Sequence, residues 1–189
     1  MGPPVEPQDH AVCSRPIPES SDLPPSLDDA LGRLIDPAGP VETFVVLPEP
    51  ESVTAARHFT LSRLAAWGVP SVGDDVGLVV SELVTNALRH SGGVPRPLTG
   101  PTPLRWSGRP GFADPLGSAP QPIQLRLLRR FPWLLCGIVD ASPAAPRRKE
   151  PDYIAETGRG LHLVESFATR WGWRGLPTGK VVWALFHAP

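Results

Sequence analysis

The chain has little that would tie it to an oxidising compartment, a membrane or a polyanion. Only two cysteines are present, Cys13 in a proline-rich stretch and Cys136 in an apolar run. That is neither a disulfide framework nor a zinc ligand set. Lysine occurs only at 149 and 180, and the net charge is -1. Such a balance leaves no footprint for direct nucleic-acid binding and no basic patch for an anionic membrane. No apolar run approaches the roughly 20 residues that a membrane helix needs. Met1–Pro7 has neither a basic nor an apolar leader region, so no secretion signal is expected and the cytoplasm is the default location.

Proline is what the chain has in excess, and it is unevenly spread. Met1 to Pro40 is rich in Pro, Ser and Asp and poor in large apolar residues. Such a composition cannot offset the entropy of ordering, so a disordered N-terminal tail is expected over 1–40. Within it, Ser26–Ile35 spaces Leu27, Leu31 and Leu34 for one helix face. It reads either as a short helix able to dock on the domain or a partner, or as a frayed part of the tail. A second Pro/Gly-rich stretch, 94–120, keeps no periodicity and reads as a long insertion, either disordered or in contact with a partner through Arg105, Trp106, Arg109 and Phe112. Between and after these stretches, 41–188 is long enough for one domain with a real core.

Asp74–His90 is the most informative stretch of that domain. Val76, Val79, Val80, Leu83, Val84 and Ala87 recur at the spacing of an amphipathic helix. Glu82, Asn86 and His90 follow one another by fours along its edge. A carboxylate there can polarise a hydroxyl or water, and an amide oxygen can ligate a hard cation. The same residues also suit the solvated edge of an ordinary helix, and His90 suits a cap. Before this helix, Thr43–Leu47 reads as a strand, and Ser52–Trp67 as a helix with Ser52 as its N-cap and Gly68 with Pro70 as its stop. Ser71–Asp74 resembles a capping box. After the insertion, Ile123–Leu127 alternates like a half-buried strand, and Trp133–Val139 is a continuously apolar one. Gly160–Arg170 reads as a helix, and Trp171–Arg174 and Lys180–Phe186 as strands. The order βααββαββ predicts an α/β (α+β) two-layer sandwich: a mixed, mostly antiparallel sheet covered on one face by three helices.

Three of these stretches, in this order, resemble the motifs of the GHKL ATPase superfamily. Glu82-x-x-x-Asn86 is similar to its N box. Asp140-Ala141-Ser142-Pro143 is similar to a reduced first glycine box, without the later glycines. Gly158-Arg159-Gly160-Leu161 is similar to the second. The resemblance runs from about Val41 to Phe186 and points to the free-standing anti-sigma factor/serine kinase type, the RsbW-like proteins. It implies a Bergerat-type fold and the cofactors ATP and Mg²⁺. The insertion departs from the pattern, since free-standing relatives usually pass from the N box to the next strand in a few residues.

The resemblance also implies roles. Asp140, with Ser142 in the turn after it, would accept the adenine amino group; otherwise Asp140 caps that turn through its side chain. Gly158, Arg159, Gly160 and Leu161 would bring amides at a helix start, and a guanidinium, to the phosphates. Asn86 would be the single protein ligand of Mg²⁺, leaving Glu82 as general base. Arg89 either reaches phosphate or lies on the surface. The implied activity is phosphorylation of Ser or Thr on an anti-sigma factor antagonist of the STAS type, together with binding of a sigma factor and a homodimer. The alternative is a nucleotide-gated protein-binding module without significant kinase activity.

Overall fold

The computed structural model describes residues 15–16, 19–20, 23–90, 122–148 and 160–189. The insertion at 94–120, most of the tail before Leu23, and Gly158 with Arg159 lie outside these residues. The elements are β1 (Arg15–Pro16), α1 (Pro25–Ile35), β2 (Glu42–Val46), α2 (Glu51–Ala66), α3 (Gly73–His90), β3 (Ile123–Arg130), β4 (Trp133–Asp140), β5 (Arg147–Arg148), α4 (Gly160–Phe167), β6 (Arg170–Leu176) and β7 (Gly179–His187). β2-β3-β4-β7-β6 form one five-stranded sheet. Every pairing in it is antiparallel, where a mixed, mostly antiparallel sheet was expected. β1 and β5 make a separate two-residue antiparallel ladder.

One face of the sheet packs against α2, α3 and α4. The stripe read from the sequence is the core of that layer: Val76, Val79, Val80, Leu83, Val84 and Ala87 are all buried. They meet Leu125 and Leu127 of β3, Leu134, Cys136 and Ile138 of β4, and Val182, Ala184 and Phe186 of β7. Pairing neighbours on opposite faces of a strand explains the selection, since the even-numbered residues of β4 and β7 all point to this layer.

The other face is not open: of the two readings of 26–35 within the expected tail, the helix docked on the domain is the one found. Residues 25–35 are helical, and Leu27, Leu31 and Leu34 are buried on Leu128, Leu135, Val181 and Trp183. Composition argued for disorder, but the three leucines find a preformed apolar surface that local sequence does not contain. Charge completes the attachment. Arg126 of β3 donates to the carbonyls of Leu34 and Ile35, at the negative end of the α1 dipole. Its burial under α1 pushes its pKa down. Arg130 reaches Asp29 at 2.8 Å, and Arg174 pairs with Asp28. β3 is therefore covered on both faces rather than half-buried, and four helices rather than three flank the sheet.

Smaller expectations also shift. Pro50, not Ser52, precedes the first turn of α2 and offers no side-chain cap, while Ser52 is buried inside that turn. A 3₁₀ turn at Pro70–Val72 leads into α3, so Ser71 lies in that turn rather than at a cap. α4 stops at Phe167, earlier than its periodicity suggested, because β6 already begins at Arg170.

Candidate functional site

The helix layer leaves a cavity of about 190 Å³ between α3, α4 and the ends of β4 and β7. Leu83, Ala87, Ile138, Leu161 and Val182 give it apolar walls. Asn86, His90, Asp140, Ser142 and Lys180 supply polar groups, and Ala144, Ala145 and Pro146 close one side. A mostly apolar cleft with a few convergent polar groups is the usual form of a small-molecule site.

Asp140 ends β4 on the helix side of the sheet and is 3% exposed. The antiparallel register sets it opposite Lys180, the second residue of β7. Lys180 is 5% exposed, and its Nζ lies 2.8 Å from Asp140 Oδ1. The same oxygen accepts the Ser142 N–H at 2.8 Å, and Lys180 also donates to the Ser142 carbonyl at 3.1 Å. Asp140 thus caps its turn and lines the cavity at once, so the two roles weighed for it are compatible. Gly179 makes the close pairing possible. Its φ is +139°, and a Cβ there would lie 2.0 Å from the Asp140 carbonyl oxygen. Only glycine adopts that backbone without strain and fits that space.

Asn86 faces the cavity from α3. Its Nδ2 is buried and has no hydrogen-bond partner among the described residues. A buried amide left unpaired costs about 1–3 kcal/mol, which a ligand oxygen can recover. The two ends of a carboxamide are interchangeable by rotation. One end suits a phosphate oxygen and the other a cation. Among the described residues no group of three His, Cys, Asp or Glu could hold a metal ion. The donor set fits a cation bound by one protein oxygen with phosphates and waters supplying the rest, which is the habit of Mg²⁺.

Glu82 lies one turn before Asn86, and its carboxylate rests against the start of α4. A Cβ placed on Gly160 would be 2.5 Å from Glu82 Oε2 and 3.4 Å from Asn86 Nδ2. Glycine at 160 therefore lets the start of α4 close onto both residues. The first amides of a helix have no intrahelical partner, so they are donors for an anion. Two separate stretches of sequence, 82–86 and 160–161, meet here as one constellation.

The structure brings together Glu82, Asn86, Asp140, Ser142, Gly160 and Leu161. Arg89 is exposed and does not line the cavity. Gly158 and Arg159, the other half of the glycine motif, lie outside the described residues. Sequence reasoning missed Lys180. One signal was available: in a chain whose cations are otherwise almost all arginine, a lysine follows a turn glycine at the start of a buried strand.

Residues 46–186, well over half of the chain, match the sequence family described as the histidine kinase-like ATPase domain. No curated protein matches at a significant level. A solved structure containing the RsbU and RsbW domains of Rv1364c from Mycobacterium tuberculosis superimposes with a TM-score of 0.49 at 14% identity. The overlap takes in 79% of this chain and 32% of that one, so this chain spans about a third of its neighbour's length. The family match, over a two-layer sandwich whose cavity gathers residues of all three motifs, shows that the chain belongs to the histidine kinase-like ATPases, the GHKL superfamily.

Proposed function

We propose that this chain is an RsbW-like regulator that binds Mg-ATP and phosphorylates a Ser or Thr of a STAS-type anti-sigma factor antagonist, and that it sequesters a sigma factor. The observation that carries this reading is the cavity, whose apolar walls also carry a buried carboxylate, Asp140, and the Asn86 amide, whose Nδ2 has no partner among the described residues. The carboxylate suits the base of a nucleotide and the amide its phosphates and their cation. The RsbW-like resemblance extends the proposal to a homodimer and to the cytoplasm. Among the described residues no helix is long and apolar enough to cross a membrane.

Asp140 accepts from the exocyclic amino group of the base, and Ile138, Leu161 and Val182 enclose the ring. Asn86 would hold the cation through its side-chain oxygen, and amides at the start of α4 donate to phosphate oxygens. A bound Mg²⁺ would neutralise charge developing on those oxygens. Glu82 orients the acceptor hydroxyl and takes its proton as the hydroxyl oxygen bonds to the terminal phosphorus. The bond from that phosphorus to the bridging oxygen breaks, and ADP leaves with the electron pair. Arg89, being exposed, is left to the surface, and Gly158 and Arg159 keep their proposed place at the phosphates.

Calorimetry and single-turnover transfer to an antagonist from the same cell test the reading together. Asn86→Ala and Asp140→Ala should each weaken ATP binding by about tenfold or more, or about 1.4 kcal/mol. Glu82→Ala should keep ATP affinity within a few fold and slow transfer by about 10²-fold or more. ATP binding undiminished in both Asn86→Ala and Asp140→Ala would remove the site assignment. Tight ATP binding by a protein that phosphorylates no antagonist would replace the kinase with a nucleotide-gated binding module.

A further inference from the structure

The buried ammonium of Lys180 has no part in the function proposed above. Taking an ammonium out of water is costly, and pairing it with a buried carboxylate does not by itself make a protein more stable than apolar packing would. Stability is thus a poor reason for a lysine at this place, and its position in the cavity wall offers a better one.

An ammonium has three N–H donors. Among the described residues, those of Lys180 have two acceptors, Asp140 Oδ1 at 2.8 Å and the Ser142 carbonyl at 3.1 Å. One donor remains for the cavity that Lys180 lines. A carboxylate offers about four acceptor sites. Ser142 N–H and Lys180 Nζ both use Oδ1 of Asp140, so acceptor capacity also remains. The wall therefore presents an acceptor and a donor side by side, on two side chains already joined through Asp140 Oδ1. Its complement is a ring edge on which an amino group stands next to a bare ring nitrogen.

Adenine has that edge, in its exocyclic amino group and N1. Guanine carries an acceptor, O6, next to a donor, N1–H, in the opposite order. It could satisfy the pair only by turning over, which would swing its ribose away from the α4 end where the phosphates are held. We propose that Lys180 is a specificity-determining residue of the nucleotide site: its ammonium donates to adenine N1 while Asp140 accepts from the neighbouring amino group. This inference rests on the ATP reading above and adds the atom by which the base is read.

The test is calorimetric titration of the full chain and of Lys180→Met with ATP, GTP and an ATP analogue carrying carbon in place of N1 (1-deaza-ATP). The unmodified protein should bind the analogue about 10- to 100-fold more weakly than ATP, the range for one hydrogen bond to a charged donor. GTP should bind more weakly than ATP by at least the same factor. Lys180→Met should bind ATP and the analogue alike. If the unmodified protein binds both equally, Lys180 does not read N1 and the inference is overturned, while the ATP reading stands. A preference that persists in Lys180→Met overturns it equally. Should that variant not fold, the analogue titration of the unmodified protein decides alone. No ATP binding at all would remove the proposed function and this inference with it.

Discussion

Replacing Gly160 with alanine isolates the contact that joins the N-box helix to the second glycine motif. The added Cβ would sit 2.5 Å from Glu82 Oε2, while its distance to Asn86 Nδ2 would be 3.4 Å, an ordinary contact. To reach ordinary contact as well, the Glu82 carboxylate must retreat by about 1 Å, and it is the free end of a flexible side chain. An off-rotamer shift of that kind costs about 0.5–1.5 kcal/mol. Alanine offsets part of it, since its advantage over glycine, about 0.8–1 kcal/mol in a helix interior, is smaller at residue 160, the first of α4. The net loss of stability should be about 1 kcal/mol or less, and the melting temperature should stay within about 4 °C. Chemistry should respond differently, because a misplacement of about 1 Å in a catalytic constellation can cost about 10²-fold in rate. Gly160→Ala should therefore slow single-turnover transfer by about 10²-fold with little loss of fold. Placed on Glu82→Ala, the same change should do almost nothing more, because no carboxylate is left to displace. Full transfer by Gly160→Ala would refute the argument. So would a further large loss in the double variant, which would trace the damage to the α4 backbone.

Two further expectations concern the scaffold. Leu31 of α1 is fully buried against the sheet, so Leu31→Ala should weaken the seating of that helix by about 2–5 kcal/mol, or by the whole docking energy if that is smaller. Hydrogen exchange should then accelerate across 25–35 while α3 stays protected, and uniform acceleration would contradict a separate docking unit. Burial pushes the Cys136 thiol up to about 12, whereas an ordinary thiol ionises near 9.0. Between those pH values the unfolded chain has released a proton that the native chain keeps, so stability should fall as pH rises, by about 1.4 kcal/mol per unit. Chemical denaturation across that range should show a shallower decline in Cys136→Ala, and equal slopes would refute the assignment.

What was legible in the sequence was what each segment determines by itself. α3 carries its own apolar stripe, and β4 and β7 are apolar runs closed by turn residues. Their type and approximate limits follow without knowing what they touch. Glu82 and Asn86 could be placed one turn apart for the same reason. What was not legible depends on partners far along the chain. The spacing of Leu27, Leu31 and Leu34 was visible, but the surface that orders them belongs to β3, β4 and β7. Arg126 looked like the outward residue of an alternating strand, because the helix whose end it caps lies 91 residues earlier. Lys180 stands 40 residues from Asp140 and meets it only through the register of two strands.

That register is worth asking about, because hydrophobic pattern alone does not secure it. A one-residue slip turns every side chain of a strand to the opposite face. In a sheet with one wet face this would expose the core and be rejected. Here α1 covers the second face, so β4 and β7 are apolar on both sides: Cys136, Ile138, Val182 and Ala184 on one, Leu135, Val181 and Trp183 on the other. A slipped pairing would still bury apolar groups. What rejects it is the polar residue at the end of each strand. Slipping β7 would carry Lys180 away from Asp140 and under α1, leaving a buried carboxylate and a buried ammonium without each other, a cost of several kcal/mol. Gly137 adds a steric condition, since a Cβ there would come 2.7 Å from Leu34 Cδ2, so α1 seats closely only where the strand has no side chain. The same ion pair thus selects the strand register and furnishes the polar wall of the cavity, and this fold needs both from the one place where β4 ends and β7 begins.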